Sequence, residues 1–329
     1  MGVFVFLPLV LPLSAWPVAR LAELRLDPRT ATRLLTAVAS VMALCSTLCL
    51  ALLMVVGTAQ LPGNPLPDGW SDPEVRAAVP QDEIAGKAAI PALILVAAVC
   101  VRTLWWHHRV TRRARRALAG LPAASVVVLP EATPYAYALP GGGRDRVVVT
   151  TSLLRGLSSP ERRALFAHER AHLRAGHHRH LLAVRLAARA NPFLVPLRTA
   201  VVYTTERWAD EDAARAVGSR RVVARAIGKA ALLSGGSSVP TFAGAAGLSG
   251  SGGFAGFSGG FAGFASGGPV PRRVAALLAP APTARSWPSV FTAVGLAAWG
   301  AAVGTLLSAM SSANSAVTMI LILHAATPL

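Results

Sequence analysis

The stretch SSPERRALFAHERAHLRAGHH, Ser158 to His178, gathers more metal-binding and acid–base groups than any other of its length in the chain. Ser158 and Glu161 stand at capping-box spacing, and Pro160 is tolerated in a first helical turn. Gly176 is a natural stop. The stretch therefore predicts one capped helix that ends near Gly176. On such a helix His168 and His172 are four residues apart, so both imidazoles leave one face and can share one cation. Glu169, next in sequence, lies beside the cation but is rotated out of its ligand set. The chemistry this predicts is a single Zn2+ that acidifies a water, with Glu169 as general base when that water attacks a carbonyl. The competing reading is a chance HExxH on a solvated basic helix. It is weakened because the motif lies on a capped helix that comes after a strand-like run, RVVVTT (146–151).

The third ligand is not obvious. His178 follows His168 by ten residues, the spacing of the metzincin signature, in which a glycine turns the chain so that the last histidine reaches back. Here Ala175 occupies the place of that glycine and Gly176 comes one residue late. No methionine lies between Met54 and Met310, so a Met-turn is missing too. The metzincin reading is rejected, and His177, His178 and His180 are expected to be membrane-facing or solvated. A carboxylate from a second helix is the alternative. After Glu169 the acidic residues are Glu206, Asp210, Glu211 and Asp212, all inside TTERWADEDAAR. Glu206 and Asp210 share a helix face, so one can ligate the metal while the other orients a ligand histidine. Glu211 and Asp212 are explained well enough by the preference of acids for a helix N-terminus.

Working outward, the 329 residues are 53% hydrophobic and 14% charged, with mean hydropathy +0.50. That is too apolar for an ordinary soluble enzyme and too interrupted by charge for a bundle wholly within lipid. Four apolar runs predict membrane spans: Val3 to Ala19, Leu34 to Gly57, Ile84 to Trp106 and Ser289 to Ala309. Arg20, Arg25, Arg29 and Arg33 follow the first run and nothing basic precedes it, so it reads as a retained span rather than a signal peptide. The second and third runs are joined by a Pro-rich, acidic loop, whereas WWHHRVTRRARR (105–116) follows the third as a Trp belt with a dense basic flank. These loops place the N-terminus outside and residues 109–288 on the cytoplasmic side of a plasma membrane. The segment 316–327 is too short for a fifth span. The net charge of +17 alone would admit nucleic acid, but the arginines cluster beside apolar runs, so no nucleic-acid partner is expected. Cys45, Cys49 and Cys100 all lie in apolar runs and form no CxxC pair, which excludes a disulfide framework and a cysteine zinc site.

Within the inner segment SVVVLP (125–130), YAYALP (135–140) and RVVVTT (146–151) predict short strands. His180 to Tyr203 is apolar but broken at Asn191-Pro192 and Pro196, and predicts a bent connection. A second helix is expected from Thr205 to Val217, ending at Gly218. The Gly/Phe-rich stretch 235–268, with its tandem GGFAGFS-GGFAGFA, predicts a flexible loop.

At these residues the chain resembles a known group. VVVLPEATPYAYALPGGGRDRVVVTTSLL, LSSPERRALFAHERAH and ERWAD are similar to the catalytic segment of BlaR/MecR-type membrane zinc metallopeptidases, and more distantly to the HtpX and CAAX prenyl protease family. The resemblance covers roughly residues 125–218 and the arrangement of three spans before the domain and one after. It implies a gluzincin site in which His168, His172 and Glu206 bind one zinc, Glu169 is the base and Asp210 supports the ligands. It further implies a catalytic domain packed against the bilayer, with a strand edge (YAYALP or VVVTT) that holds protein or peptide substrate, and an unidentified repressor or other regulatory protein as target. The penicillin-binding sensor of the best-known members has no counterpart after the fourth run, so the resemblance does not extend to β-lactam sensing. The fold class expected is mostly α, a multi-pass membrane protein. About four transmembrane helices would carry a zincin-like α+β domain, a small antiparallel sheet plus the HExxH helix, between the third and fourth. The expected divisions are 1–108 (three spans), 109–234 (peptidase domain), 235–268 (loop), 269–288 (return to the membrane) and 289–329 (fourth span and tail). The competing function is a non-catalytic membrane scaffold or signalling protein with a structural zinc site.

Overall fold

A computed structural model describes residues 5–63, 66–71, 75, 82–122, 124–141, 145–234, 270–281 and 291–327. Four helical segments are long and apolar enough to cross a membrane: Leu7–Arg25, Pro28–Ala59, Ile84–Ala117 and Gly295–Ala325. The first is punctuated by prolines into α1 (Leu7–Val10), a 3-10 turn (Leu11–Ser14) and α2 (Ala15–Arg25). α3 (Pro28–Ala59) is central among the spans. Pro28 opens it, and the Asp27 carboxylate caps it by accepting from the backbone N–H groups of Arg29 at 3.0 Å and Thr30 at 3.4 Å. α4 (Asp82–Ala117) packs along α3 with their backbones almost touching. A Cβ on Gly86 would stand 2.7 Å from the Cα of Gly57, so only glycine fits at this crossing.

The last span differs from expectation. α11 (Ala293–Ala325) is one unbroken helix that absorbs most of the 316–327 segment and extends well past Ala309. Thr305 and Ser312 return their hydroxyls to the backbone one turn earlier, to Ala301 O at 2.6 Å and Ser308 O at 2.8 Å, so a polar run interrupts the hydropathy but not the helix. Ser308, Ser312 and Ser315 face inward, and the Ser312 hydroxyl lies 3.7 Å from Cys49 Sγ on α3.

The sheet is mixed rather than antiparallel as expected. β1 (Val126–Leu129) and β2 (Ala136–Leu139) flank a central β3 (Arg146–Thr150), with β1 parallel and β2 antiparallel to it. β2 turns back onto β3 as a hairpin, and β1 joins the opposite edge in register Val126↔Val147 to Leu129↔Thr150. Val147, Val148 and Val149 are buried, as a central strand covered on both faces requires. The VVVTT strand therefore has no free edge. β2 pairs only with β3 among the described residues, and it lies against the motif helix.

After β3 come α5 (Thr151–Gly156) and the motif helix α6 (Ser159–Arg174). The capping box forms, with Ser158 N–H donating to Glu161 Oε2 at 2.8 Å. Gly176 takes φ 63°, a left-handed conformation that costs glycine little, and α7 (His177–Ala190) starts at once. The expected bent connection is thus a helical hairpin. α7 ends at Asn191, a 3-10 turn spans Pro192–Leu194, and α8 runs Val195–Val217. α8 begins ten residues before Thr205 because Pro196 falls in its first turn, where proline is tolerated. At the tip, Asn191 Nδ2 donates to Ser46 Oγ at 3.0 Å, and Ser46 donates to Pro8 O at 2.8 Å.

α9 (Arg220–Ser234) packs against α6 and α8, and the Gly/Phe-rich stretch 235–268 lies outside the described residues. Within the segment expected to return to the membrane, α10 (Val270–Leu278) packs onto α9 and α8. Its buried stripe is Arg273 and Leu277, one turn apart.

Candidate metal centre

The face of α6 that carries His168 and His172 is turned into the interior, against α8. The two Nε2 atoms stand 3.1 Å apart. Glu206, on the buried face of α8, places Oε2 3.4 Å from His168 Nε2 and Oε1 3.5 Å from His172 Nε2. These donor atoms, within 4.8 Å of one another, form the one such group of three among the described residues. Tetrahedral zinc with bonds of about 2.0–2.1 Å requires ligand atoms about 3.3–3.4 Å apart; the two Nε2 atoms at 3.1 Å, and one carboxylate oxygen 3.4 or 3.5 Å from each of them, are close to that spacing, with each Glu206 oxygen facing a different histidine.

Charge fits a divalent cation equally well. Glu169, Glu206 and Asp210 are three buried carboxylates, and among the described residues Arg273 is the one guanidinium paired with Glu206 and Asp210, which leaves two formal negative charges when all are ionised. Burial alone would raise the Glu206 pKa, but His172 and Arg273 outweigh it and hold the carboxyl down at about 2. Glu169 behaves oppositely. Burial pushes its pKa up, only partly offset by His168 and His172, and its Oε1 is buried with no hydrogen-bond partner among the described residues. A carboxylate beside the donor triangle with raised proton affinity is what a general base requires.

Each histidine has support behind it, and the two supports differ. With Nε2 facing the donor triangle, Nδ1 carries the hydrogen. His168 Nδ1 faces Asp210 Oδ1 at 3.1 Å. Asp210 is itself gripped by the Arg273 fork, Nε donating to Oδ2 at 2.9 Å and Nη2 to Oδ1 at 2.6 Å, while Nη1 lies 3.2 Å from Glu206 Oε2. Burial opposes charge on Asp210, yet Arg273 keeps its pKa well below the usual carboxylate range.

His172 Nδ1 faces His177 Nδ1 at 2.9 Å. His177 was expected among the membrane-facing or solvated histidines, but it is buried, its ring standing edge-on to Trp208 with centroids 4.7 Å apart. The physical reason is the left-handed turn at Gly176, which starts α7 so that its first residue points back at α6. Burial and the neighbouring His172 lower the His177 pKa to about 2, so the ring is neutral and can accept from His172. His178 and His180 are partly exposed, and His178 is not in the donor group. Removing the acceptor with His177→Phe is expected to weaken metal binding by about 10–100-fold, and His177→Gln, which keeps an acceptor, by less. A chelator-competition titration measures both.

Arg273 escapes a reading based on motifs, because its partner Asp210 is 63 residues away. The available signal was an arginine at helical spacing with Val270, Val274 and Leu277, which puts a cation on an apolar stripe and demands a buried anion.

Residues 101–195 match the model of peptidase family M48. The match includes His168, Glu169 and His172 and stops short of Glu206, Asp210 and Arg273. No curated protein and no solved structure matches the chain. The family match and the His168–His172–Glu206 cluster together support a metal-dependent peptidase acting on protein or peptide substrate, and the four apolar helices support association with a membrane.

Proposed function

We propose that the chain is a membrane-embedded zinc endopeptidase of the gluzincin type, in which His168, His172 and Glu206 hold one zinc and Glu169 is the general base. The observation that carries this reading is the convergence of the two Nε2 atoms with the Glu206 carboxylate beside the unpartnered Glu169 oxygen. Zinc held there would supply a Lewis acid for the scissile carbonyl and lower the pKa of the attacking water. Glu169 takes the proton of that water on its carboxylate and passes it to the leaving nitrogen. Asp210 fixes the tautomer and orientation of His168, and His177 does the same for His172. The edge of β2 that pairs with no strand among the described residues, beside α6, is suited to hold an extended peptide by strand pairing. The arginine-rich flanks favour a plasma-membrane topology with the N-terminus outside and this centre on the cytoplasmic side. Such a placement suits regulated proteolysis of a cytoplasmic repressor or similar target in response to an outside signal. BlaR/MecR-type enzymes, and more distantly the HtpX and CAAX prenyl proteases, offer a functional analogy.

The full burial of His168 and Glu206 favours a second reading, a structural zinc in a non-catalytic signalling protein. Metal analysis separates the ligand assignments. Glu206→Ala is expected to lose stoichiometric zinc while His178→Ala keeps it, and the opposite pattern would refute Glu206 as ligand. Cleavage of a casein-like substrate by the full chain, lost on zinc removal and restored on its return, decides between the enzyme and the structural site.

A further inference from the structure

Glu206 and Trp208 are two residues apart on α8, so they leave it on different sides. Glu206 faces the metal centre. Trp208 shares its side with Thr204, one turn earlier, and that side is turned to the start of α3. Thr204 meets Thr32 there, hydroxyl to hydroxyl, at 2.9 Å. Two guanidinium groups one turn apart on α3 stand over the indole, Arg29 at 5.6 Å and Arg33 at 5.3 Å from the ring centroid. Arg29 is also held to α8 by Asp212, at 2.8 Å.

Trp208 is buried, and its Nε1 has no hydrogen-bond partner among the described residues. No directional bond fixes the indole, so its place is set by what lies against its ring: the two arginines, the edge-on His177 at 4.7 Å and, farther off, His180 at 6.4 Å. His177 is fixed in a similar way. Its Nδ1 accepts from His172 Nδ1 at 2.9 Å, so the hydrogen sits on Nε2, which is buried without an acceptor among the described residues. One hydrogen bond leaves an imidazole free to swing about it. The ring of Trp208 is the surface that stops His177 from doing so, and edge-to-face packing is a preferred geometry for such a pair.

We propose that Trp208 is a positioning residue for the metal centre: held by Arg29 and Arg33, it orients His177, which orients the ligand His172. The two arginines follow directly on the turn that joins the first two of the four long apolar segments, so a shift of either segment at that turn reaches the metal through Trp208. This inference rests on the zinc reading above and not on hydrolysis.

The test is the zinc affinity of the folded full chain, read by chelator competition. Trp208→Leu removes the ring and is expected to weaken binding by about tenfold, the lower end of the range for a group behind a metal ligand. In a His177→Phe background the same change should alter affinity by less than about twofold, because the path is already cut. No loss in the single variant, or an equal loss in both backgrounds, would overturn the proposal. A Trp208 that served only the fold would lower the unfolding midpoint and leave the affinity of the folded chain as it was.

The arginines give a test of sign. By charge alone, removing two cations near a divalent ion tightens its binding. R29Q/R33Q is expected instead to weaken it by about threefold, and R29K/R33K, which keeps a cation over the indole, to restore most of the loss. Unchanged or tighter binding in R29Q/R33Q would overturn the part assigned to α3. Should Trp208→Leu fail to fold, Trp208→Phe takes its place, with a loss of about threefold expected because phenylalanine offers cations a weaker face; no loss there counts against the proposal. Wild type that binds no zinc would overturn the zinc reading and this inference with it, whereas stoichiometric zinc that is indifferent to Trp208 would overturn the inference alone.

Discussion

Glu169→Gln is expected to abolish hydrolysis while one zinc per chain stays bound. The substitution keeps the shape of the side chain and removes only its basicity. General-base catalysis contributes about 10²–10⁴ in rate, so a fall of about a thousandfold or more is expected in kcat with little change in KM. Glu169 is not in the donor group, so zinc content should hold. Its Oε1 has no hydrogen-bond partner among the described residues, so folding should lose little when the charge goes. Indeed burial raises its pKa, the sign of a carboxylate whose ionised form is disfavoured in the folded chain. Two measurements on one sample decide the matter, metal content and single-turnover cleavage of a casein-like peptide. Full activity with zinc bound would refute Glu169 as base, and loss of zinc would show that it acts on the ligands instead. A retained, inactive complex would also serve to trap the natural substrate from the membrane of its own cell.

The parts of this centre that a linear reading reaches are those whose cues are local. The capping box at Ser158 and Glu161, the i,i+4 pair of His168 and His172, and the glycine stop at 176 all declare themselves within one helix. Glu206 and Asp210 stood out for a different reason, as acids in a strongly basic chain. What was missed depends on chain direction or on distant partners. His177 reads as one of several exposed histidines until Gly176 takes φ 63° and swings it behind His172. The order of the strands was hidden because β1 finds β3 across the intervening β2, a choice made by packing and not by any turn signal. The hairpin of α7 and α8 looked broken because Pro196 is a breaker inside a helix and harmless at its start.

Arg273→Met is expected to be the most destabilising single change at the centre. Arg273 is fully buried, and its fork satisfies both oxygens of Asp210 while touching Glu206. Removing one partner of a buried ion pair costs about 3–5 kcal/mol, mostly from the charge left behind. Here two carboxylates, Asp210 and Glu206, would lose their counter-ion at once. The loss should be larger in the chelated protein than in the zinc-loaded one, because a divalent cation beside Glu206 compensates part of the charge. Chemical unfolding with and without chelator reads this difference directly. The second change Asp210→Asn should recover part of the loss in the Met variant, since it removes the stranded charge and leaves an oxygen facing His168 Nδ1. If Arg273→Met costs less than about 1 kcal/mol, within the range of an exposed pair, the ion pair is not what docks α10. In that case the helix would be held by its outer contacts, Arg220 to the carbonyl of Ala276 at 2.8 Å and Arg272 to Glu23 at 3.0 Å, and Arg220→Ala would take over as the damaging substitution.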